Sequence, residues 1–176
     1  MPRGLKPTSS PIIISFGLTE SGSNTFTTDR VDLQLNALDN EVFVVTGVKM
    51  DTEIPDMLPG VPGARHAVFA SCSKQNISNA SDRTLANTSV FATANVQIMT
   101  AVSATAGLAV LQQENDVDTP QAMEYLDIIA TPDFFVNING VNNSSAKSVE
   151  GKLYGYRATA DASTYAALVQ SELISQ

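Results

Sequence analysis

What this chain lacks narrows its chemistry first. Its 176 residues contain no tryptophan, one histidine (His66) and one cysteine (Cys72), and only 16 % of them are charged. A single cysteine closes no internal disulfide, so a disulfide scaffold is excluded. One histidine with one cysteine falls short of the several such ligands that hold structural zinc. His66 and Cys72 lie in one strand-like run, and at about 3.3 Å per residue a regular strand holds them about 20 Å apart, out of reach for a thiolate–imidazole dyad. No GxSxG, GxxxxGK[ST], GxGxxG or HExxH pattern occurs, which removes the usual signatures of hydrolases and nucleotide enzymes together. The apolar run at Ile12–Ile14 is too short for a signal-peptide core, and no segment approaches the roughly 20 apolar residues that span a bilayer. These features lead us to expect a chain made in the cytoplasm, with neither export signal nor membrane span.

Basic residues are also few. The net charge is −8 and the isoelectric point near 4.4, so the surface as a whole repels phosphate backbones and anionic lipid, and strong direct nucleic-acid binding is not expected. Arg3 and Lys6 precede the first acid, Glu20, but two charges do not make a genome-condensing arm. The missing charge is replaced by Ser, Thr, Asn and Ala, while hydrophobic residues reach 43 %. Short uncharged side chains lose little entropy and hydration on burial, and so suit β-surfaces and large contacts between subunits.

Residues 1–11, with Pro2, Pro7 and Pro11, read as an extended N-terminal arm that orders against a neighbour. Residues 12–176 read as one domain of short strands, at 12–18, 30–36, 41–50, 66–72, 95–99, 125–131, 134–138 and 152–159, separated by turns rich in Asn, Asp, Gly and Pro. In 30–36, Val31, Leu33 and Leu35 alternate with Asp32 and Gln34, predicting a strand with one wet face. The run 41–50 is apolar on both faces and predicts a central strand. The Ala-rich window 100–113 fits either a helix or two strands. Residues 161–175 predict an amphipathic helix: Asp161 caps it, and Tyr165, Leu168, Val169 and Leu173 form one apolar stripe that docks on a sheet or a partner. The fold class expected is mostly β, an antiparallel, jelly-roll-like β-sandwich with a Pro-rich N-terminal arm and a C-terminal amphipathic helix.

Three sets of residues remain as candidates for chemistry. The carboxylates Asp51, Glu53 and Asp56, or Glu114, Asp116 and Asp118, are close enough in sequence to meet, either for glycoside hydrolysis or as hard oxygen ligands for calcium, against the plainer reading of solvated acidic turns. Lys152, Tyr154 and Tyr156 fall on one face of a regular strand, where they can stack a sugar or a base or simply pack. Sequon-like triplets at Asn76, Asn79, Asn87, Asn142 and Asn143 read as surface turns.

The order of these features, a Pro-rich arm, short strands with Asn, Gly and Pro turns, and an amphipathic close, resembles single jelly-roll coat proteins of small icosahedral viruses. The closing segment SVEGKLYGYRATADASTYAALVQSELISQ is similar in style to structural proteins of marine viruses. The resemblance implies two packed antiparallel sheets and subunits that tile a closed shell through their sides, located in the virion, with copies of themselves and other virion proteins as partners. It also implies that the arm (Pro2, Arg3, Lys6, Pro7) and the helix stripe (Tyr165, Leu168, Val169, Leu173) reach neighbours or the inner surface. The acidic balance departs from coat proteins that neutralise genomes with a basic arm. On this reading the chain is a non-enzymatic structural protein without a cofactor. The competing class is a carbohydrate- or ligand-binding β-sandwich, an adhesin or receptor-binding module using Tyr154, Tyr156 and the acidic loops; a third is an enzyme acting through carboxylates alone.

Overall fold

The computed structural model describes residues 4–56, 65–100, 110–115 and 123–174. Its strands are Leu5–Pro7 (β1), Ile12–Thr19 (β2), Thr27–Asp32 (β3), Glu41–Thr52 (β4), Arg65–Ser73 (β5), Val90–Thr100 (β6), Val110–Asn115 (β7), Asp127–Ile129 (β8), Asp133–Val141 (β9) and Ser148–Ala160 (β10), followed by one α-helix, Ala162–Ile174 (α1). The protein is therefore mostly β, with two antiparallel sheets and a C-terminal helix, as its composition and periodicity predict.

Sheet A runs β1–β10–β4–β8, with β2 also on β10, and sheet B runs β3–β9–β5–β6–β7. The longest strand, β10, pairs with β4 from Val149 to Thr159. Its other edge is shared by β2, along Ser148–Gly155, and β1, along Ala158–Ala160. The pairing is nested. β2 lies on β10, β3 on β9, β4 on β8 and β5 on β6, all antiparallel. The chain thus behaves as one long hairpin rolled up, until β10 meets β4 and β9 meets β5; β7 extends the β6 edge.

One core joins the sheets. Phe16, Phe43, Ile129 and Leu153 of sheet A meet Val68, Phe134, Val136 and Ile138 of sheet B, with Phe16 edge-on to Phe134 at 5.7 Å between ring centroids, the orientation their quadrupoles favour. The inward face of β10 is Val149, Gly151, Leu153, Gly155, and both glycines make room for rings. A Cβ on Gly151 would strike the Phe16 ring and stand 2.6 Å from the Lys49 carbonyl oxygen, and one on Gly155 would strike the Phe43 ring and the Val44 carbonyl oxygen.

β4 is central and buried on both faces along Val42–Val45, as its valines predict, but it is not regular. Register shifts between Tyr154, opposite Gly47, and Gly155, opposite Val45, leaving Thr46 as an extra residue. Such a bulge inverts the alternation beyond it. Before it Phe43 and Val45 point to the core; after it Val48 and Met50 do. On the outer face, Val42 and Val44 form a second cluster with Leu5, Ala158 and Ala160, against which Tyr165, Leu168 and Val169 of α1 pack. The helix stripe therefore docks on its own sheet; the Leu173 side chain lies outside the described residues. Asp161 caps the helix, its Oδ1 accepting from the Thr164 amide at 2.8 Å. At the far end Glu172, 3 % exposed, accepts from the Ala130 and Thr131 amides at 2.9 and 3.1 Å. Burial raises the pKa of its carboxyl, and those amide donors pull the other way.

Two local expectations need correction, and one left open is settled in part. The strand expected over 30–36 ends at Asp32, because the Asp32 carboxylate accepts from the Gln34 amide at 2.7 Å and Gln34 turns to φ 54°. The apolar alternation still marks burial there, since Val31, Leu33 and Leu35 all reach the core. The N-terminal segment does not order only against a neighbour: Lys6 and Pro7 pair with Thr159 and Ala158 of the same chain, and Leu5 is buried. Pro2 and Arg3 lie outside the described residues. In the ambiguous window 100–113, the described part from Val110 is strand, and 101–109 lie outside the described residues.

Gly155→Ala should destabilise the fold by about 1–3 kcal/mol through overpacking against a ring and a fixed carbonyl, as should Gly151→Ala. Denaturant melts of both variants check this, and wild-type midpoints would show that β10 tolerates a methyl at these sites.

Candidate functional site

Along the half of sheet A that α1 leaves uncovered, alternate residues of β2, β10 and β4 point outward in register. One row is Ile13, Tyr154 and Gly47; the next Ser15, Lys152 and Lys49; the next Gly17, Glu150 and Asp51. Seven of these residues, Ser15, Gly17, Lys49, Asp51, Glu150, Lys152 and Tyr154, line a shallow depression. The four charged side chains are exposed. Tyr156, expected on the same face, is separated from this group: it packs in the cluster under α1, where burial and then the Glu124 charge raise the pKa of its hydroxyl. The predicted row is thus divided into an open pair, Lys152 and Tyr154, and a tyrosine committed to packing.

A second polar assembly ties three loops together at one end of the sheets. The Lys147 side chain, only 4 % exposed, places its Nζ 2.6 Å from Asp56 Oδ1 and 3.3 Å from Glu53 Oε1. Asp56 also accepts from the Ser144 amide and hydroxyl at 2.8 and 2.6 Å, and Glu53 accepts from Ser148. Glu20, 4 % exposed, accepts from the Gly140 amide at 2.6 Å and the Lys147 amide at 3.0 Å. Asn143 joins in by donating to the Ala67 carbonyl and accepting from the Asp56 amide. The electrostatics follow. The Lys147 hydrogen bond, then those from Ser144, hold the Asp56 carboxyl far below its usual range. Burial pushes Glu53 up, but Ser148 and Lys147 outweigh it and hold it low. Burial likewise pushes the Lys147 ammonium down, and its two carboxylates outweigh that and hold it above an ordinary lysine.

This arrangement changes the reading of the acidic loops. Glu53 and Asp56 hold an ammonium, and Asp51 stands apart on the sheet face. Glu114 lies in β7, where side chains are outside the described residues, as are Asp116 and Asp118 altogether. Among the described residues no group of three or more His, Cys, Asp or Glu is placed to hold a metal. Cys72 is fully buried with Sγ 3.6 Å from Met50 Sδ, and burial raises its thiol pKa and so disfavours the thiolate. His66, 2 % exposed, places Nδ1 2.8 Å from the Asn142 carbonyl oxygen. Neither Lys147 nor Glu20 was marked by any motif, because each finds its partners across distant loops.

On the outer face of sheet B the loop 74–89 covers part of the strands. Arg83 and Arg65 stand over the Phe69 ring at 4.2 and 5.2 Å. A polar groove between loop and sheet is lined by residues including Lys74, Asp82, Asn87, Thr131 and Phe135. Compared with models of known protein families and with curated proteins, the chain matches none.

Removing Lys147 should leave two carboxylates facing one another. A buried ion pair broken on one side costs roughly 3–5 kcal/mol; since the partners Glu53 and Asp56 are 46 and 25 % exposed, about 1–3 kcal/mol is expected for Lys147→Met. The lowered carboxyls contribute stability that is complete above the ordinary carboxylate range and is lost as pH falls through and below about 4. Wild type should therefore lose more melting temperature between about pH 6 and pH 3 than Lys147→Met. Equal losses in the two proteins would show that this network does not govern acid stability.

Proposed function

We propose that this chain is a non-enzymatic structural subunit with a jelly-roll sandwich fold, which self-assembles into a closed shell of the virion coat type. The observation that carries the reading is the nested pairing. A jelly roll folds eight antiparallel strands as a rolled hairpin into two four-stranded sheets, and β2–β6 with β8–β10 pair in that order, giving β2–β10–β4–β8 facing β3–β9–β5–β6.

Jelly rolls also serve as lectins and as small-molecule enzymes, so fold alone does not choose. Three features favour a structural role. The core between the sheets is built of Phe16, Phe43, Phe134 and aliphatic side chains, surroundings that disfavour charged intermediates. The buried Lys147 ammonium is tied up by Glu53 and Asp56, and burial disfavours ionisation of the Cys72 thiol. The chain is poor in charge, which lowers the cost of covering its surface repeatedly.

A second reading, a ligand-binding module, is favoured by one observation: Lys152 and Tyr154 line a single open depression, an aromatic face beside a cation, as a saccharide site requires.

Light scattering with negative-stain imaging across protein concentration tests the first reading. Concentration-dependent growth to large particles of uniform size is the expected outcome. A strict monomer under all conditions, with a melting temperature raised by a saccharide, would move the second reading to first place.

A further inference from the structure

The four charges on the open half of sheet A are arranged in an unusual way. Lys49 and Lys152 are direct cross-strand partners, and so are Asp51 and Glu150. Like charges directly opposite one another disfavour the strand pairing that holds them. A single exchange within either strand would have produced two favourable pairs. None of the four makes an ion pair with another, or with any described residue. This contrasts with Lys147 in the same chain, whose ammonium is matched by two carboxylates. All four are exposed, and beside them stand Tyr154 and the outward Ile13, 59 % exposed.

We infer that this face is a two-fold contact between two copies of the chain. The rows are two residues apart on each strand, roughly 7 Å at 3.3 Å per residue, so the patch is a cationic row beside an anionic one. Such a pattern is complementary to itself. A two-fold axis lying in the contact plane, across the strands and between the rows, sets Lys49 against the second copy's Asp51 and Lys152 against the second copy's Glu150. By symmetry each acid then meets the opposing lysine, so four ion pairs form at once, as an isologous contact requires. The axis parallel to the strands would set lysine on lysine, so the charges also choose the orientation. The flanking small residues, Ser15, Gly17 and Gly47, leave the depression open to the opposing side chains, and Tyr154 and Ile13 supply apolar area at its end. The inference rests on the self-assembly reading above and names one of its contacts.

Charge reversal tests it. Lys49→Glu/Lys152→Glu makes the face wholly acidic and Asp51→Lys/Glu150→Lys makes it wholly basic; both change exposed side chains only. By sedimentation at about 50 mM salt, each double variant alone should self-associate tenfold or more weakly than wild type, and an equimolar mixture of the two should recover association. Wild-type association should weaken on raising salt to about 500 mM. Unchanged association in both variants, or no recovery on mixing, overturns this contact while leaving self-assembly standing. A wild type that is monomeric at every concentration overturns both. If that monomer is stabilised by inorganic phosphate, and Lys49→Glu/Lys152→Glu abolishes the effect, the lysine row belongs to an anionic ligand instead.

Discussion

The structure depends on β10. It is paired along nearly its whole length on both edges, by β4 on one side and by β2 and β1 on the other, and α1 follows it after Asp161 alone. A strand so placed must serve two faces at once. Inward, it brings the sheets together by yielding volume at Gly151 and Gly155 to the rings of Phe16 and Phe43. Outward, it carries Glu150, Lys152 and Tyr154 on one half and, on the other, Tyr156, Ala158 and Ala160 to support the helix. The bulge at Thr46 of β4 allows this division, because it resets the alternation so that valines lie under the helix and charges lie beyond it.

Charge in this chain is scarce, and its placement separates structural from surface roles. Where charged groups are buried they are matched: Lys147 by two carboxylates, Glu20 and Glu172 by backbone amides. That is what desolvation demands, since an unpaired buried charge costs several kcal/mol. Solvation relaxes the demand at the surface, and there a row of two lysines beside a row of two acids persists without partners. The proposed two-fold contact would supply from a second copy the partners these charges lack among the described residues of one chain.

Some elements were legible because one residue pattern has one physical meaning. Leu and Val alternation at 31–35 marked burial correctly even where the strand itself stops at Asp32, since alternation reports facing and an Asx-type turn can hold the same facing without a ladder. The double-sided apolar run of β4 and the Asp161 cap were read from local chemistry alone. That the N-terminal arm pairs within its own chain was missed because Leu5 is one apolar residue among prolines, and nothing local says that β10 has a free edge to receive it.

The sequence by itself determined the β-rich class, the central strand, the closing helix with its cap, and the absence of a thiol–imidazole dyad, because each follows from periodicity, propensity or distance along one segment. Only the tertiary structure decided which strands are neighbours, that Lys147 answers Glu53 and Asp56 rather than leaving them to a cation, that Tyr156 is packed while Lys152 and Tyr154 stay open, and that two lysines oppose each other beside two acids. The reason is physical: these relations join residues roughly a hundred positions apart, and registry across paired strands is set by the sum of core packing and hydrogen bonding over the whole sheet, which no single segment encodes.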